Sequence, residues 1–283
     1  MPYRLFRTPD AILLEDLEAP GEIRRLSPDF SIDEVFLSES PVEFVAAAFS
    51  SAAPAETVDP ESALEPPIGT QEVWAAGVTY FRSRTARMEE AESAGGDVFY
   101  DIVYEAERPE IFFKATAPRT RGHRARVGIR SDSTWDVPEP ELALAITSKG
   151  KIFGYTIGND MSSRSIEGEN PLYLPQAKVY TGACSIGPCL FIGDLPGPDS
   201  AIRIEIRRNA IVVFEGQTHL SQLKRGFEEL AGFLFRSNDF QYGAYLMTGT
   251  GIVPDSDFTL QADDEIAISI DGAGTLVNAV EVV

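Results

Sequence analysis

Two glutamates stand one residue apart in the stretch WDVPEPELALAIT, at the start of an otherwise apolar run. In a β-strand the side chains of Glu139 and Glu141 would point to one face, and the leucines and isoleucine that follow would point to the other. Like charges this close repel each other and disfavour a strand, so a hard divalent cation is one candidate partner. The alternative is an edge strand whose acidic start lies in water.

Three further polar features follow the glutamate pair along the chain. The apolar segment KIFGYTIGND ends in Asp160, a long polar loop then closes on Lys178, and YLMTGTGIVP places Thr250 in a glycine turn. Taken singly, an aspartate after a strand is usually a turn residue, and a lone lysine is usually a solvated charge. It is their order and spacing after the glutamates that indicate a common site.

In its motifs the chain resembles the fumarylacetoacetate hydrolase superfamily. The resemblance rests on GVTYFRSR, EIFFKA, PEPELALAI, GYTIGNDMSSRS, KVYTGACSIGP, MTGTG and GAGTLVNAV, which span most of the chain after residue 70. It implies one Mg²⁺ or Mn²⁺ held by Glu139, Glu141 and Asp160. It also implies that Lys178 is the catalytic lysine and that Thr250 binds the substrate carboxylate.

The chemistry of such a site suits a small-molecule 2-oxo acid. Three carboxylates would leave about three of six octahedral positions for water or substrate. A base, here Lys178, could remove the C3 proton of the 2-oxo acid, because a divalent cation stabilises the enolate that forms.

One departure from the family pattern narrows the reaction. Hydrolytic members usually carry a motif like N-Y-x-x-H, and the corresponding stretch GVTYFRSRTARMEE matches at Tyr80 but has Ser83 in place of the histidine. Hydrolysis of a carbon–carbon bond needs an activated water, whereas metal-assisted enolisation needs only the metal and a base. The two histidines of the chain, His123 and His219, are far from this stretch in sequence.

Two segments indicate the subclass. The loop SSRSIEGENPLYLPQAK and the segment ERPEIFFKAT resemble the 2-keto-3-deoxy sugar acid dehydratases of the superfamily. This resemblance implies dehydration of a 2-keto-3-deoxypentonate, an arabinonate or xylonate, to 2,5-dioxopentanoate in non-phosphorylated pentose breakdown.

Further residues can be given roles in that reaction. Glu110, just before the apolar IFF, is the candidate acid for the leaving hydroxyl, because an apolar setting would keep its carboxyl protonated; the alternative is an exposed glutamate after a proline. Candidates for holding the substrate's carboxylate or hydroxyls are Arg82, Ser83, Arg84 and Lys114.

Two other functions stay open. One is a carbon–carbon bond hydrolase of acylpyruvates or diketo-deoxy sugar acids, with a water positioned without the histidine. The other is a catalytically degenerate family member with a binding or structural role. The complete set of carboxylates and lysine favours an enzyme over the latter.

The elements that must position these residues are mostly short strands, with an amphipathic helix predicted in LSQLKRGFEELAGFLFRSN. SAAPAETVDPESALEPPI carries four prolines and is typical of a linker. The resemblance implies an α+β, mostly β fold, with a mixed β-sheet rolled into a barrel-like catalytic domain over residues 69–283. A small N-terminal domain and linker would occupy residues 1–68.

Composition excludes several classes of partner. The 283 residues carry a net charge of −20, which argues against binding nucleic acid or an anionic membrane. No apolar run approaches the roughly 20 residues that span a bilayer, and the first residues lack the apolar core of a signal peptide. Reduced cysteines and a cytoplasmic location are therefore expected. The family habit implies a homodimer or homotetramer.

Overall fold

The structure is a computed structural model, and it describes residues 2–55, 58–59, 62–80 and 102–283. Strands dominate it, as the succession of short apolar segments predicts. The strands are β1 (Tyr3–Arg7), β2 (Ile12–Asp16), β3 (Ile23–Arg25), β4 (Ala53–Pro54), β5 (Glu72–Gly77), β6 (Glu110–Thr116), β7 (Arg126–Ile129), β8 (Asp136–Val137), β9 (Pro140–Ile146), β10 (Ile152–Asp160), β11 (Ser162–Ser163), β12 (Cys184–Ile192), β13 (Ala201–Arg208), β14 (Ile211–His219), β15 (Ala244–Met247), β16 (Glu265–Ile270) and β17 (Gly274–Val282).

Short helices connect these strands. The α-helices are α1 (Ile32–Leu37), α2 (Pro41–Ser51), α3 (Arg164–Glu169), α4 (Leu174–Lys178) and α5 (Phe227–Leu234). Single 3₁₀ turns are formed by Ala117–Arg119, Pro171–Tyr173 and Leu220–Gln222. Among the described residues, no helix has both the length and the apolar character needed to span a lipid bilayer.

Two large sheets and one small ladder organise the strands. The first sheet has ten strands in the order β4-β3-β2-β1-β12-β10-β9-β15-β5-β6, and the second has five in the order β14-β13-β16-β17-β7. Most neighbours are antiparallel, whereas β15 pairs with β5 and β17 pairs with β7 in parallel. The predicted mostly β, α+β fold with a mixed sheet is confirmed. The strands that were expected to form a barrel-like sheet form two stacked sheets, and these do not close into a barrel.

The ten-stranded sheet is covered by a hydrophobic core on each face. One core lies between the two large sheets and contains Leu144 of the first and Ile204 of the second. The other core lies under the N-terminal helices and joins Val35 and Phe49 to Ala145. A sheet covered on both faces removes its central strands from water, which is the setting of the candidate site.

Strand β9 lies at the centre of the large sheet and pairs antiparallel with both β10 and β15. All seven of its residues are buried. Leu142, Leu144 and Ile146 belong to the core between the sheets, and Ala143 and Ala145 belong to the opposite core. The alternative of an acidic edge strand in water is therefore wrong.

The N-terminal strands continue the same sheet. Strand β1 pairs antiparallel with β12, so that Tyr3 lies opposite Ile192 and Leu5 lies opposite Leu190. Strands β2, β3 and β4 follow outward from β1. The division into residues 1–68 and 69–283 stays a prediction, and the sheet itself runs across it.

Candidate active site

Three buried carboxylates meet where β9 begins and β10 ends. Glu139 and Asp160 form a pair of backbone hydrogen bonds, with N···O distances of 3.2 and 3.0 Å, and Glu141 follows on the same face of β9. Oxygens from the three carboxylates lie within 4.8 Å of one another. Each residue is at most 4% exposed. The alternation predicted from the sequence puts the two glutamates on one face, and the pairing of β9 with β10 brings Asp160 beside them.

Lys178, the last residue of α4, is ion-paired with two of these carboxylates. Its Nζ donates to Glu139 Oε2 at 2.5 Å and to Asp160 Oδ2 at 3.2 Å. The same Nζ lies 5.6 Å from the centroid of the Phe112 ring. The amine is therefore held between the acidic cluster and an aromatic side chain, out of contact with bulk water.

Arg164 is a second buried cation, and sequence reasoning missed it. Its Nη2 donates to Glu139 Oε1 at 2.9 Å. The short ladder between β8 and β11 places it there, because its backbone N–H bonds to the carbonyl of Trp135 at 2.8 Å. An arginine in a polar loop usually indicates a solvated charge, so only the folded position of this loop reveals the contact.

Lys114 on β6 is the third buried cation. Its Nζ forms an ion pair with Asp160 Oδ1 and donates to the carbonyl oxygens of Met161 at 2.9 Å and Lys178 at 2.6 Å. Burial lowers the pKa of Lys114, and the neighbouring Asp160 carboxylate opposes that shift. All of its contacts are internal, which favours a role inside the framework over the substrate contact predicted from the sequence.

Glu141 faces the glycine turn after β15. Its Oε2 accepts a hydrogen bond from the backbone N–H of Gly249 at 2.5 Å. Gly249 has a φ of +92°, and a Cβ there would collide with Thr79 Oγ1, so only glycine fits this turn without strain. Burial raises the pKa of Glu141 well above its usual value, and the charges of Asp160 and Glu139 raise it further.

The donor set of this cluster fits a hard divalent cation. Glu139, Glu141 and Asp160 offer only carboxylate oxygens, which are the ligands that Mg²⁺ and Mn²⁺ prefer. Buried like charges within 4.8 Å of one another need a positive partner, and Lys178 lies against Glu139 and Asp160 rather than Glu141. These three residues are the ones that would hold such an ion.

A narrow cavity of about 10 Å³ opens beside the cluster. Thr250 lines it and is nearly buried, with its hydroxyl hydrogen-bonded to the backbone of Ile252. Other lining residues, from three different strands or loops, are Ala76, Gly77, Val78, Phe112 and Gly249. The predicted substrate threonine therefore shares one cavity with the carboxylates and Lys178.

Glu110 is the strand partner of a residue that lines this cavity. It is half-buried at the start of β6, directly opposite Gly77 of β5. A Cβ on Gly77 would collide with Glu110 Oε2, so the carboxylate lies over the glycine backbone. Gly77 lines the cavity, whereas Glu110 itself is not among the lining residues.

Both histidines of the chain lie away from the cavity. His123 is buried, and its Nδ1 accepts a hydrogen bond from the backbone N–H of Val277 at 3.1 Å. His219 is exposed at the end of β14, where its ring contacts the carbonyl oxygen of Asp199. Neither lines the site, so no histidine of this chain supplies the water-activating group of the hydrolytic motif.

Three of the predicted substrate-binding residues fall in a part of the chain that is not described. Arg82, Ser83 and Arg84 lie outside the described residues, so their roles stay predictions. The structure adds Arg164 and Phe112 to the residues that line the cavity. Phe112 alternates with Glu110 in the segment EIFFKA, which was the available signal for it.

The fold and the site together define a class of mostly β proteins with a buried carboxylate triad and a lysine at one end of a mixed sheet. The chain belongs to the fumarylacetoacetate hydrolase family, because residues 81–281 match the family described as fumarylacetoacetate (FAA) hydrolase C-terminal. The resemblance drawn from the motifs is thereby confirmed.

Two relatives carry dehydratase names. The chain is 48% identical over 219 residues to a Haloferax volcanii protein called "Probable 2-keto-3-deoxyxylonate dehydratase", covering 77% of this chain and 74% of that protein. It is 44% identical over 218 residues to the 2-dehydro-3-deoxy-D-arabinonate dehydratase of Saccharolobus solfataricus, covering 76% and 73%.

A solved structure resembles the whole chain. It is described as 2-keto-3-deoxy-D-arabinonate dehydratase complexed with magnesium and 2,5-dioxopentanoate. The TM-score is 0.84 at 33% identity, and the match covers 100% of this chain and 99% of the other. The similarity therefore includes the N-terminal strands as well as the region around the site.

Proposed function

We propose that this chain is a metal-dependent hydro-lyase that converts a 2-keto-3-deoxypentonate into 2,5-dioxopentanoate and water. Relatives at 44–48% identity are named dehydratases of such acids, and a relative of the same architecture is described in complex with magnesium and that product. The observation that carries the proposal is the buried carboxylate triad paired with Lys178, in a chain whose two histidines both lie elsewhere.

Glu139, Glu141 and Asp160 are the residues that would hold Mg²⁺ or Mn²⁺. When bound, the ion supplies Lewis acidity towards the carbonyl and carboxylate oxygens of a 2-oxo acid. Gly249 orients Glu141 by its N–H bond, and Arg164 orients Glu139 through Oε1. The protein thus fixes the direction in which two of the carboxylates present their oxygens.

Lys178 in its neutral amine form is the group placed to accept the C3 proton. Its Nζ lies beside the carboxylates and Phe112, within the group of residues to which a 2-oxo acid would bind. Glu110, whose carboxylate lies over Gly77, would donate a proton to the C4 hydroxyl, which leaves as water. The resulting unsaturated alcohol then isomerises to the aldehyde at C5, with no net gain or loss of electrons.

The remaining residues would bind the substrate. Thr250 faces the cavity and is assigned to the substrate carboxylate, and Arg82, Ser83 and Arg84 are assigned to its carboxylate or hydroxyls as predicted from the sequence. A homodimeric or homotetrameric state and a cytoplasmic location also stay predictions.

A coupled assay tests the proposal. The purified chain is incubated with Mg²⁺ and either 2-keto-3-deoxyarabinonate or its xylonate epimer, and the product is oxidised by a semialdehyde dehydrogenase. NAD(P)H should appear with at least one epimer and should be lost when EDTA is added. Cleavage of an acylpyruvate without any NAD(P)H signal from either epimer would replace the dehydratase by a carbon–carbon hydrolase.

A further inference from the structure

The Lys114 ammonium faces three oxygens of the protein itself. A protonated lysine has three N–H donors, and here they face Asp160 Oδ1, the Met161 carbonyl and the Lys178 carbonyl. Its side chain is completely buried and is not part of the cavity lining. The contacts of Lys114 are therefore with the end of β10 and the end of α4, and not with the space open to a substrate.

These contacts connect Lys114 to both the backbone of Lys178 and the carboxylate that Lys178 contacts. Lys114 Nζ donates to the backbone carbonyl of Lys178 and is ion-paired with one oxygen of Asp160, while the other oxygen of Asp160 accepts a hydrogen bond from Lys178 Nζ. The contact with the carbonyl holds the backbone of Lys178 in place. The contact with Asp160 holds the carboxylate to which the Lys178 ammonium is paired. The buried Lys114 ammonium thus positions both the backbone and the amine of Lys178 relative to β10.

Helix α4 depends on such an anchor. It has five residues, with a proline in its first turn, and Lys178 is its last residue. A helix this short has too few internal hydrogen bonds to be stable alone, so its position follows from contacts made with the rest of the fold.

We propose that Lys114 is a positioning residue that holds Lys178 in place for proton removal by anchoring the end of α4 to Asp160. The inference rests on the proposed function to the extent that Lys178 is the base. It replaces the substrate contact expected from the sequence with an action exerted through another residue.

The test compares Lys114→Met, which keeps the length and removes the donors, with Lys149→Met. Lys149 is an exposed lysine in the turn between β9 and β10, at the opposite end of that hairpin from Asp160. Lys114→Gln, which retains an amide donor, is carried through the same measurements. Circular dichroism and thermal unfolding establish which variants are folded.

Two measurements follow on the folded variants. In steady-state kinetics with Mg²⁺, Lys114→Met should lose about 100-fold in kcat, because a small displacement of a catalytic group is this costly. KM should stay within about threefold of wild type, since no substrate contact is removed. In hydrogen exchange without metal or substrate, amides of residues 174–182 should exchange about tenfold faster or more. Lys149→Met should match wild type in both.

Several results would overturn the positioning role. A KM raised tenfold with kcat retained would make Lys114 a substrate contact. Unchanged kcat and unchanged exchange in a folded but less stable variant would leave it a purely structural residue, as would failure of both Lys114 variants to fold. If wild type shows no dehydratase activity, the proposed function fails, whereas the exchange measurement still decides whether Lys114 anchors α4.

Discussion

Replacing Glu141 with glutamine should stabilise the chain when no divalent metal is present. The Gly249 N–H bonds to Glu141 Oε2, and a glutamine carbonyl oxygen can accept the same bond. What is lost is a buried charge near those of Glu139 and Asp160, with oxygens within 4.8 Å. At an effective dielectric constant near 20, each such repulsion is about 3.5 kcal/mol, and Lys178 offsets part of it. We expect a net gain of about 1–3 kcal/mol at pH 7.5.

The gain should depend on pH with a defined sign. Burial and the charges of Asp160 and Glu139 raise the pKa of Glu141 in the folded chain. A carboxyl whose folded pKa is raised costs nothing below its ordinary pKa of 4.5. It destabilises the fold progressively as the pH rises from there to the folded pKa, and the cost is constant above that pKa. The advantage of Glu141→Gln should therefore vanish near pH 4, grow as the pH rises above 4.5, and reach its full size once the pH exceeds the folded pKa.

Denaturant unfolding followed by tryptophan fluorescence, in EDTA at several pH values, measures this difference. With Mg²⁺ at one thousand times Kd the order should reverse, because wild type gains about 4.1 kcal/mol and the variant lacks one of the three carboxylates. Glu39→Gln, at an exposed glutamate outside the site, is the matched control. A Glu141→Gln variant less stable than wild type in EDTA at pH 7.5 would refute the reasoning.

Three other substitutions test the remaining geometry. Lys178→Ala should lower kcat by about 10²–10⁴ while Mn²⁺ still binds in an electron paramagnetic resonance titration; near wild-type kcat would show that Lys178 is not the base. Gly77→Ala should displace the Glu110 carboxylate and lower kcat about tenfold or more, with an unchanged circular dichroism spectrum. Wild-type kcat in that variant would remove Glu110 from the reaction. Gly249→Ala should lower the free energy of unfolding by about 2 kcal/mol or more, because its φ is +92° and the new Cβ meets Thr79; an unchanged melting temperature would contradict this.

Local sequence patterns account for the positions of the three carboxylates. Alternation along β9 puts Glu139 and Glu141 on one face, and the β9–β10 hairpin returns Asp160 to the same end because its turn is short. Such features depend on residues close in sequence. The fold class is predictable for the same reason, since the strands are marked by short apolar segments with turns between them.

Long-range contacts limit what the sequence can predict about the cations. Arg164 reaches Glu139 across 25 residues, and Lys114 reaches the carbonyl of Lys178 across 64. Nothing in the local pattern around either residue indicates burial, because a lone charge is normally solvated. These partners exist only once β6, β8 and β11 have been placed.

The helix predicted in LSQLKRGFEELAGFLFRSN is shorter in the structure for a similar reason. Its α-helical part is confined to α5, which begins after Gly226. Before it, Leu223 forms a bridge with Tyr80, and the Lys224 N–H bonds to the carbonyl of Thr79. Backbone hydrogen bonds with the segment after β5 thus keep the residues before Gly226 out of the helix, although their apolar spacing favours one.

The pairing of β1 with β12 has a consequence for how the chain can be shortened. A fragment beginning at residue 69 would keep all three carboxylates but would expose one side of β12 along the register from Leu190 to Ile192. An uncovered strand edge offers unpaired N–H and C=O groups to other molecules and promotes aggregation. The first four strands therefore protect the sheet against intermolecular pairing, and a soluble minimal enzyme would need to retain them.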